Sequence, residues 1–236
     1  MTWIERAALF SLLDYAAIAI LLGAWLWIGW KIEHPSPQKP SVALVMDGYR
    51  RGWMHEMVTR QPRMFDAQVV AAMRQGSTFF ASTTMIAIGG GLALLGNTER
   101  LAGVATDLAI GSAPAMVWEI KILVVVLLLA NAFLKYVWAH RLFGYCAVLM
   151  ASVPNDPEDP NAYPRAGQAA EICVTAARSI NRGLRATYFA LASLAWFLGP
   201  MALVLGTMIT FGVLYRREFA SHSRAILMAQ RQNTET

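Results

Sequence analysis

Three ionisable side chains that could do chemistry stand inside long apolar stretches of this sequence, whereas a fourth, Lys135, is expected to extend to the membrane interface at the end of the third stretch. Asp14 lies in the first stretch, and Glu119 and Lys121 lie near the start of the third. A charge within a membrane helix is costly, and it marks either an ion or proton pathway or a pairing of helices. Two interpretations therefore stay open for this intramembrane polar cluster. It is a proton or ion relay, or else Asp14 and Lys121 form a structural ion pair or extend to the membrane interface.

Three consecutive glycines, Gly89, Gly90 and Gly91, remove the side chains from the middle of the second apolar stretch. Small residues let membrane helices pack closely, so helix packing is the simpler interpretation. The alternative is that a substrate or an ion approaches the bare backbone, as at the interrupted helices of transporters.

The remaining reactive residues form no enzyme motif. Cys146 and Cys173 have neither metal-binding spacing nor a disulfide framework. His34 and His140 both follow apolar stretches, where bis-histidine haem ligation is conceivable but interfacial histidines are the ordinary case. CxxCH, HExxH, Walker A and GxSxG motifs are all absent from the sequence. We therefore predict a protein that is not an enzyme, with no catalytic residue, metal site or cofactor.

These residues are positioned by four apolar stretches of at least twenty residues each. An α-helix needs about twenty residues to cross a hydrocarbon core, and only helices satisfy their own backbone hydrogen bonds there. Hydrophobic residues make up 56% of the chain, charged residues only 15%, and the mean hydropathy is +0.42. The sequence therefore predicts an all-α polytopic membrane protein that forms a single membrane domain over residues 1–236. Its four transmembrane helices are expected at 7–30, 77–96, 117–139 and 186–215.

The distribution of lysine and arginine predicts an orientation. Loop one (residues 31–76) holds seven of them and loop three (135–185) holds six, whereas residues 1–6 and 97–116 hold one each. Basic loops remain in the cytoplasm, so both loops are predicted to be cytoplasmic and both termini exterior. Four basic residues in the C-terminal tail, Arg216 and Arg217 among them, favour the opposite side for that end.

Both basic loops contain amphipathic segments, at residues 41–75 and 165–182. Such helices beside membrane spans are expected in the head-group plane, or packed together as a small cytoplasmic cap. The net charge of +5 lies beside apolar spans, which favours anionic lipid head groups over nucleic acid. In one interpretation four arginines contact lipid head groups; in the other they pair with Asp66 or Glu171 and shape the cap. These arginines are Arg50, Arg51, Arg182 and Arg185.

Helix breakers predict where these elements end. Residues 116–150 contain no breaker except Gly144, so one long helix is expected there. Pro154–Pro164 carries four prolines and three acids and is typical of a solvated turn. Gly199-Pro200 falls near the middle of the fourth stretch and predicts a kink.

Six segments, in order along nearly the whole chain, resemble a family described only as domain of unknown function 599. The resemblance implies a four-span membrane protein without an assigned activity, so it transfers no catalytic residue. Leu134 and Ala132 stand where the family usually carries aromatic residues. The segments are Arg51–Met57 with Arg60, Arg63 and Asp66, then Gln75–Gly96, Trp118–Lys121, Tyr136–Cys146, Asn181–Trp196 and Leu214–Phe219.

Two functions from different classes follow from the sequence. The first is a non-enzymatic accessory or scaffold subunit of a larger complex in the inner (plasma) membrane. It would contact anionic lipids and either a membrane-protein partner or further copies of itself. The alternative is a small oligomeric transporter or channel that uses Asp14 and Lys121.

Overall fold

The computed structural model describes residues 9–98 and 114–232, with the side chains of 230–232 left aside. The described residues form helices and no strand, which confirms the all-α prediction. The α-helices are α1 (Leu12–Glu33), α2 (Val42–Met57), α3 (Met64–Leu95), α4 (Ala115–Ala151), α5 (Ala162–Ser193), α6 (Pro200–Phe219) and α7 (His222–Gln232).

Three of these helices, α1, α3 and α4, are long and apolar enough to cross a membrane. Helix α4 contains the third predicted span, α3 ends one residue before the end of the second, and α1 begins at Leu12, five residues after the predicted start of the first. Residues 7 and 8 of the first predicted span lie outside the described residues. Helix α3 passes without a break from the amphipathic segment into the second span. Helix α4 runs unbroken for 37 residues, as the lack of helix breakers predicts.

The fourth predicted span, 186–215, is not one helix. Helix α5 ends at Ser193, a 3₁₀ segment covers Leu194–Leu198, and α6 begins at Pro200. Between them Gly199 has a φ of +117°, which only glycine adopts readily, and Pro200 takes the first helical position. Helix α6 packs against the end of α5, since a Cβ on Gly206 would lie 3.3 Å from the Ala192 carbonyl oxygen. The kink prediction is confirmed as a full break, whereas a fourth single-pass span is not confirmed.

The contacts divide the chain into two units. The first unit comprises Met1–Trp30, Thr83–Ala132 and Leu184–Tyr215, as far as these are described. Its buried side chains include Leu21, Phe189 and Leu203.

The second unit comprises Lys31–Ser82, Phe133–Gly183 and Arg216–Thr236. Its core packs α2 against the C-terminal half of α4 and the N-terminal half of α5, through Met54, Phe143, Cys146 and Cys173. Both cysteines are free thiols and fully buried. The prolines between Glu33 and Ser41 end α1, and the Ser41 hydroxyl caps α2 by accepting from the amide of Leu44 at 3.2 Å.

The C-terminal tail belongs to the second unit and contains helix α7, which no sequence pattern predicted. The Ser221 hydroxyl accepts from the amide of Arg224, whose Nε donates to the Pro40 carbonyl at 2.9 Å. The Tyr49 hydroxyl donates to the Leu227 carbonyl at 3.2 Å. The tail therefore contacts loop one. The assignment of the C-terminus to the side opposite loop one stays a prediction, and this contact favours a common side for the two segments.

Candidate functional site

Asp14 of the predicted polar cluster caps the first turn of α1. Its Oδ2 accepts from the amide and the hydroxyl of Ser11 at 3.1 and 2.6 Å, and the Ser11 hydroxyl accepts from the Asp14 amide at 3.2 Å. This reciprocal arrangement is a capping box, with Asp in the position that Glu or Gln usually takes. The spacing Ser11-x-x-Asp14 was a sequence signal for it. This carboxylate within an apolar stretch thus has a local structural role.

Trp196 joins Asp14 to Lys121. The indole Nε1 donates to Oδ1 of Asp14 at 2.7 Å, and Nζ of Lys121 donates to the Trp196 carbonyl at 2.9 Å. That carbonyl lies in the 3₁₀ segment. The Lys121 ammonium also lies 5.4 and 5.5 Å from the ring centroids of Trp118 and Trp196, a cation–π arrangement. Asp14 and Lys121 thus meet through a shared residue, and no direct ion pair joins them.

Glu119 lies apart from this bond network. Its Oε1 accepts from the Thr98 hydroxyl at 3.2 Å. Glu119 and Asp14 do line one cavity of about 690 Å³ in the first unit, whose walls are mostly apolar and include Phe10 and Leu123. The three predicted residues therefore share one neighbourhood, but only Asp14 and Lys121 share a partner.

The three glycines of α3 have different surroundings. A Cβ on Gly91 would lie 2.6 Å from Cγ2 of Val126, so α3 and α4 approach closely at this point. A Cβ on Gly89 or Gly90 would meet nothing within 4 Å. Within the described residues, the packing interpretation therefore applies to Gly91.

The four arginines proposed for lipid contact are in contact with other residues of the chain. Arg50 pairs with Asp47 at 3.3 Å, Arg51 makes two bonds to Glu171, and Arg182 makes two bonds to Glu33 at 2.9 and 2.6 Å. Arg185 is buried, and its Nε would lie 3.6 Å from a Cβ on Gly29. This arrangement matches the interpretation in which arginines shape a cap, with Glu171 as one of the expected partners.

Two buried carboxylates connect helices of the second unit. Asp47 of α2 also accepts from Nε and Nη2 of Arg178 on α5, at 3.0 and 2.8 Å. Asp66, the first-turn acid of α3, accepts from Nε1 of Trp53 at 2.6 Å and from Arg60. Both carboxylates are almost fully buried. The two carboxylates therefore link α2 to α5 and to α3.

The bonds of this network change the pKa values of its exposed members. The hydrogen bonds with Arg51 hold the pKa of Glu171 below its ordinary value. The bonds with Glu33 raise the pKa of Arg182. Both shifts favour the charged form of the group, so each pair keeps its charges over a wider pH range than the isolated side chains would.

His140 has both ring nitrogens in hydrogen bonds. Nε2 accepts from Nε of Arg74 at 3.3 Å, and Nδ1 lies 2.9 Å from the Thr78 hydroxyl. Neither nitrogen is presented as an axial haem ligand in this arrangement. In the described part of the chain, no group of three or more His, Cys, Asp or Glu residues is placed to hold a metal ion.

These features define a class of protein: a helical chain with three helices able to span a membrane and an ion-pair-linked helical unit. The profile of the family described as "Protein of unknown function, DUF599" matches residues 16–223, so the chain belongs to that family. The motif resemblance is thereby confirmed. No curated protein and no solved structure matches the chain.

Proposed function

We propose that the chain is a non-enzymatic protein of the inner membrane, an accessory or scaffold subunit of a larger membrane complex with contacts to anionic lipid. The observation that carries this proposal is the use of carboxylates in the second unit. Asp47, Asp66, Glu171 and Glu33 all accept bonds from arginine side chains, three of them from residues of another helix. A general acid or base must reach a substrate proton, whereas these carboxylates are held by fixed partners. Their arrangement favours a rigid binding platform.

The apolar helices support a partner within the membrane. Only 17% of the most apolar part of α1 and 11% of that of α3 is buried within the chain, against 50% for α4. On α3, Phe79 and Ile86 are among the large exposed apolar side chains. Much of the surface of α1 and α3 is therefore available to lipid or to a second membrane protein.

Site-specific photo-crosslinking in living cells tests the accessory role. A photoreactive amino acid at Ile86, which is 77% exposed, is expected to give one protein adduct of constant mass. The matched control places the same group at Ala132 of α4, which is fully buried and should give no intermolecular adduct. An adduct of twice the 26.0 kDa chain mass would indicate a homo-oligomer. Adducts with lipid alone would reject the accessory subunit.

A small oligomeric transporter or channel is the second candidate, and one feature of the first unit favours it. The 3₁₀ segment interrupts the helix beside the cavity of about 690 Å³, and its Trp196 carbonyl is held by Lys121. Carbonyls at an interrupted helix bind cations in transporters, and here the Trp196 carbonyl binds the Lys121 ammonium. Ion flux into liposomes that is lost in Asp14→Asn would support this candidate. No flux across a panel of monovalent and divalent ions would reject it.

A further inference from the structure

A groove of about 520 Å³ in the second unit lies between the first half of α3 and the last half of α4. We propose that this groove binds the head group of an anionic phospholipid, an inference that rests on the proposed membrane function and names its lipid site. Apolar residues such as Val70 and Met150 form much of the lining. The polar residues of the lining are Arg63, Arg74, Gln75, Thr78, His140 and Asn155.

The groove carries positive charge without an acidic residue in its lining. Arg63 donates from its Nη atoms to the carbonyls of Val58, Val153 and Pro154, at 3.0, 2.7 and 2.7 Å. These carbonyls bind the Nη atoms but leave the charge of the guanidinium in place, and the buried Nε has no hydrogen-bond partner among the described residues. Arg74 donates only from Nε, to His140, so its Nη atoms have no hydrogen-bond partner among the described residues.

These two arginines differ from the basic residues that build the cap. Arg50, Arg51, Arg60, Arg178 and Arg182 each have a carboxylate within 4 Å. In the described ranges, Arg63 and Arg74 have none within that distance, although both face the same groove. An anion supplied from outside the chain would therefore complete the charge balance of the groove.

A closed set of hydrogen bonds orients Arg74. Its Nε can only donate, so Nε2 of His140 accepts and Nδ1 carries the proton that points to the Thr78 hydroxyl. That hydroxyl in turn donates to the Arg74 carbonyl at 3.1 Å. The guanidinium is thus held in place before any ligand arrives, which lowers the entropic cost of binding.

The position of these residues along the helices selects a lipid over a soluble anion. Thr78 lies at the start of the second predicted span and His140 directly follows the third, so Arg74 is expected at the level of the phosphates. Arg63 lies about three helical turns, roughly 16 Å, further from the span. A lipid phosphate at Arg74 would leave its acyl chains beside the spans and its head group in the groove toward Arg63.

Native mass spectrometry of the full chain in detergent tests this site with phosphatidylglycerol and phosphatidylcholine of equal chain length. The wild type is expected to prefer phosphatidylglycerol, and Arg74→Gln should reduce that preference about fivefold. Arg74→Lys should retain most of it because the charge remains. The matched control is Arg51→Gln, which removes an arginine already paired with Glu171 and should leave the preference unchanged.

A steric variant separates the groove from general surface charge. Ala147 lines the groove and is exposed, so Ala147→Trp should fill it without altering the charge and should also reduce acidic-lipid binding. An equal preference for phosphatidylglycerol in the wild type, Arg74→Gln and Ala147→Trp would overturn the proposal. So would full displacement of lipid by soluble glycerol phosphate, which would assign the groove to a soluble anion. Crosslinking at Ile86 is an independent readout, so loss of the lipid site alone would leave the accessory role standing.

Discussion

At the scale of single residues, Trp196 is the link that the sequence did not reveal. Asp14 and Lys121 were identified because a charge in an apolar stretch stands out. Trp196 is 182 positions from Asp14, and its bond with Lys121 is made by a backbone carbonyl of the 3₁₀ segment, which no residue type in the sequence marks. An aromatic residue in an apolar run carries no comparable signal. The sequence therefore predicted Asp14 and Lys121 as polar residues of interest, but it did not predict that Trp196 joins them.

A double-mutant cycle tests this link. Asp14→Ala and Trp196→Phe are expected to couple by about 1.5 kcal/mol in unfolding free energy, since the bond they share has a charged acceptor. Thermal or denaturant unfolding in detergent measures the coupling. The control replaces Trp118 with Phe, because the Trp118 indole nitrogen is buried without a partner among the described residues. A stronger coupling of Asp14 with Lys121 than with Trp196 would contradict the shared-partner arrangement.

Burial predicts which ion pair matters for stability. The Asp47 side chain is 3% exposed and serves two arginines, so Asp47→Ala should destabilise by about 3 kcal/mol. The Glu171 side chain is 59% exposed, and Glu171→Ala should cost less than about 1 kcal/mol. Equilibrium unfolding of both variants under one condition gives the comparison. Equal losses would show that burial does not set the strength of these links.

The Arg51–Glu171 pair should also give a characteristic pH dependence. Its bonds lower the pKa of Glu171 in the folded state, so the contribution to stability is complete above the ordinary glutamate pKa of about 4.3. It is lost as the pH falls through the lowered folded value. The stability difference between wild type and Glu171→Gln should be constant from pH 7 to 5 and shrink below about pH 4. A difference that grows on acidification would exclude this pair as its source.

At the scale of elements, helix breakers and caps predicted most helix ends. Hydropathy did not predict the break between α5 and α6, which divides the fourth apolar stretch into two helices. The prolines after α1 and the turn at Pro154–Pro164 end helices where expected. The 30 apolar residues from Ala186 to Tyr215 suffice for one crossing or for two short helices that turn back. The same residues are apolar in both arrangements, so hydropathy does not distinguish them. The sequence features that accompany the break are local. They are the dipeptide Gly199-Pro200 and the small residue Gly206, which allows close packing of α6.

The contact of α4 with α5 provides an element-scale prediction. A Cβ on Gly183 would lie 2.7 to 3.0 Å from the ring of Tyr136, which is fully buried and cannot yield. Gly183→Ala should therefore destabilise the protein by about 1 to 3 kcal/mol. Gly167 on the same helix has nothing within 4 Å, so Gly167→Ala should stabilise by up to about 1 kcal/mol. Thermal unfolding compares the two, and stabilisation by both would contradict the close approach.

At the scale of the whole molecule, most lysines and arginines lie in loop one, loop three and the C-terminal tail. Loop one holds seven lysines and arginines, loop three holds six, and the tail holds four. Loop one and the tail are in contact through Tyr49 and Arg224. We predict a cytoplasmic tail, because Arg216 and Arg217 would then agree with the positive-inside rule.

Protease protection in intact cells tests this topology. Epitope tags inserted at 154–164 and at the C-terminus should both resist external protease, and an N-terminal tag should be cleaved. Permeabilised cells are the control, since all tags should then be degraded. Cleavage of the C-terminal tag beside a protected 154–164 tag would restore the original assignment of an exterior C-terminus.

The burial of both thiols has a practical consequence for such experiments. Cys146 and Cys173, the two cysteines of the chain, are fully buried in the core of the second unit. Thiol reagents attack accessible thiolates, so the folded wild-type chain should react slowly with maleimides. A cysteine introduced at any exposed position would then be the dominant labelled site. The natural sequence thus offers a low-background scaffold for fluorescence, spin-label or accessibility measurements without removal of its own cysteines.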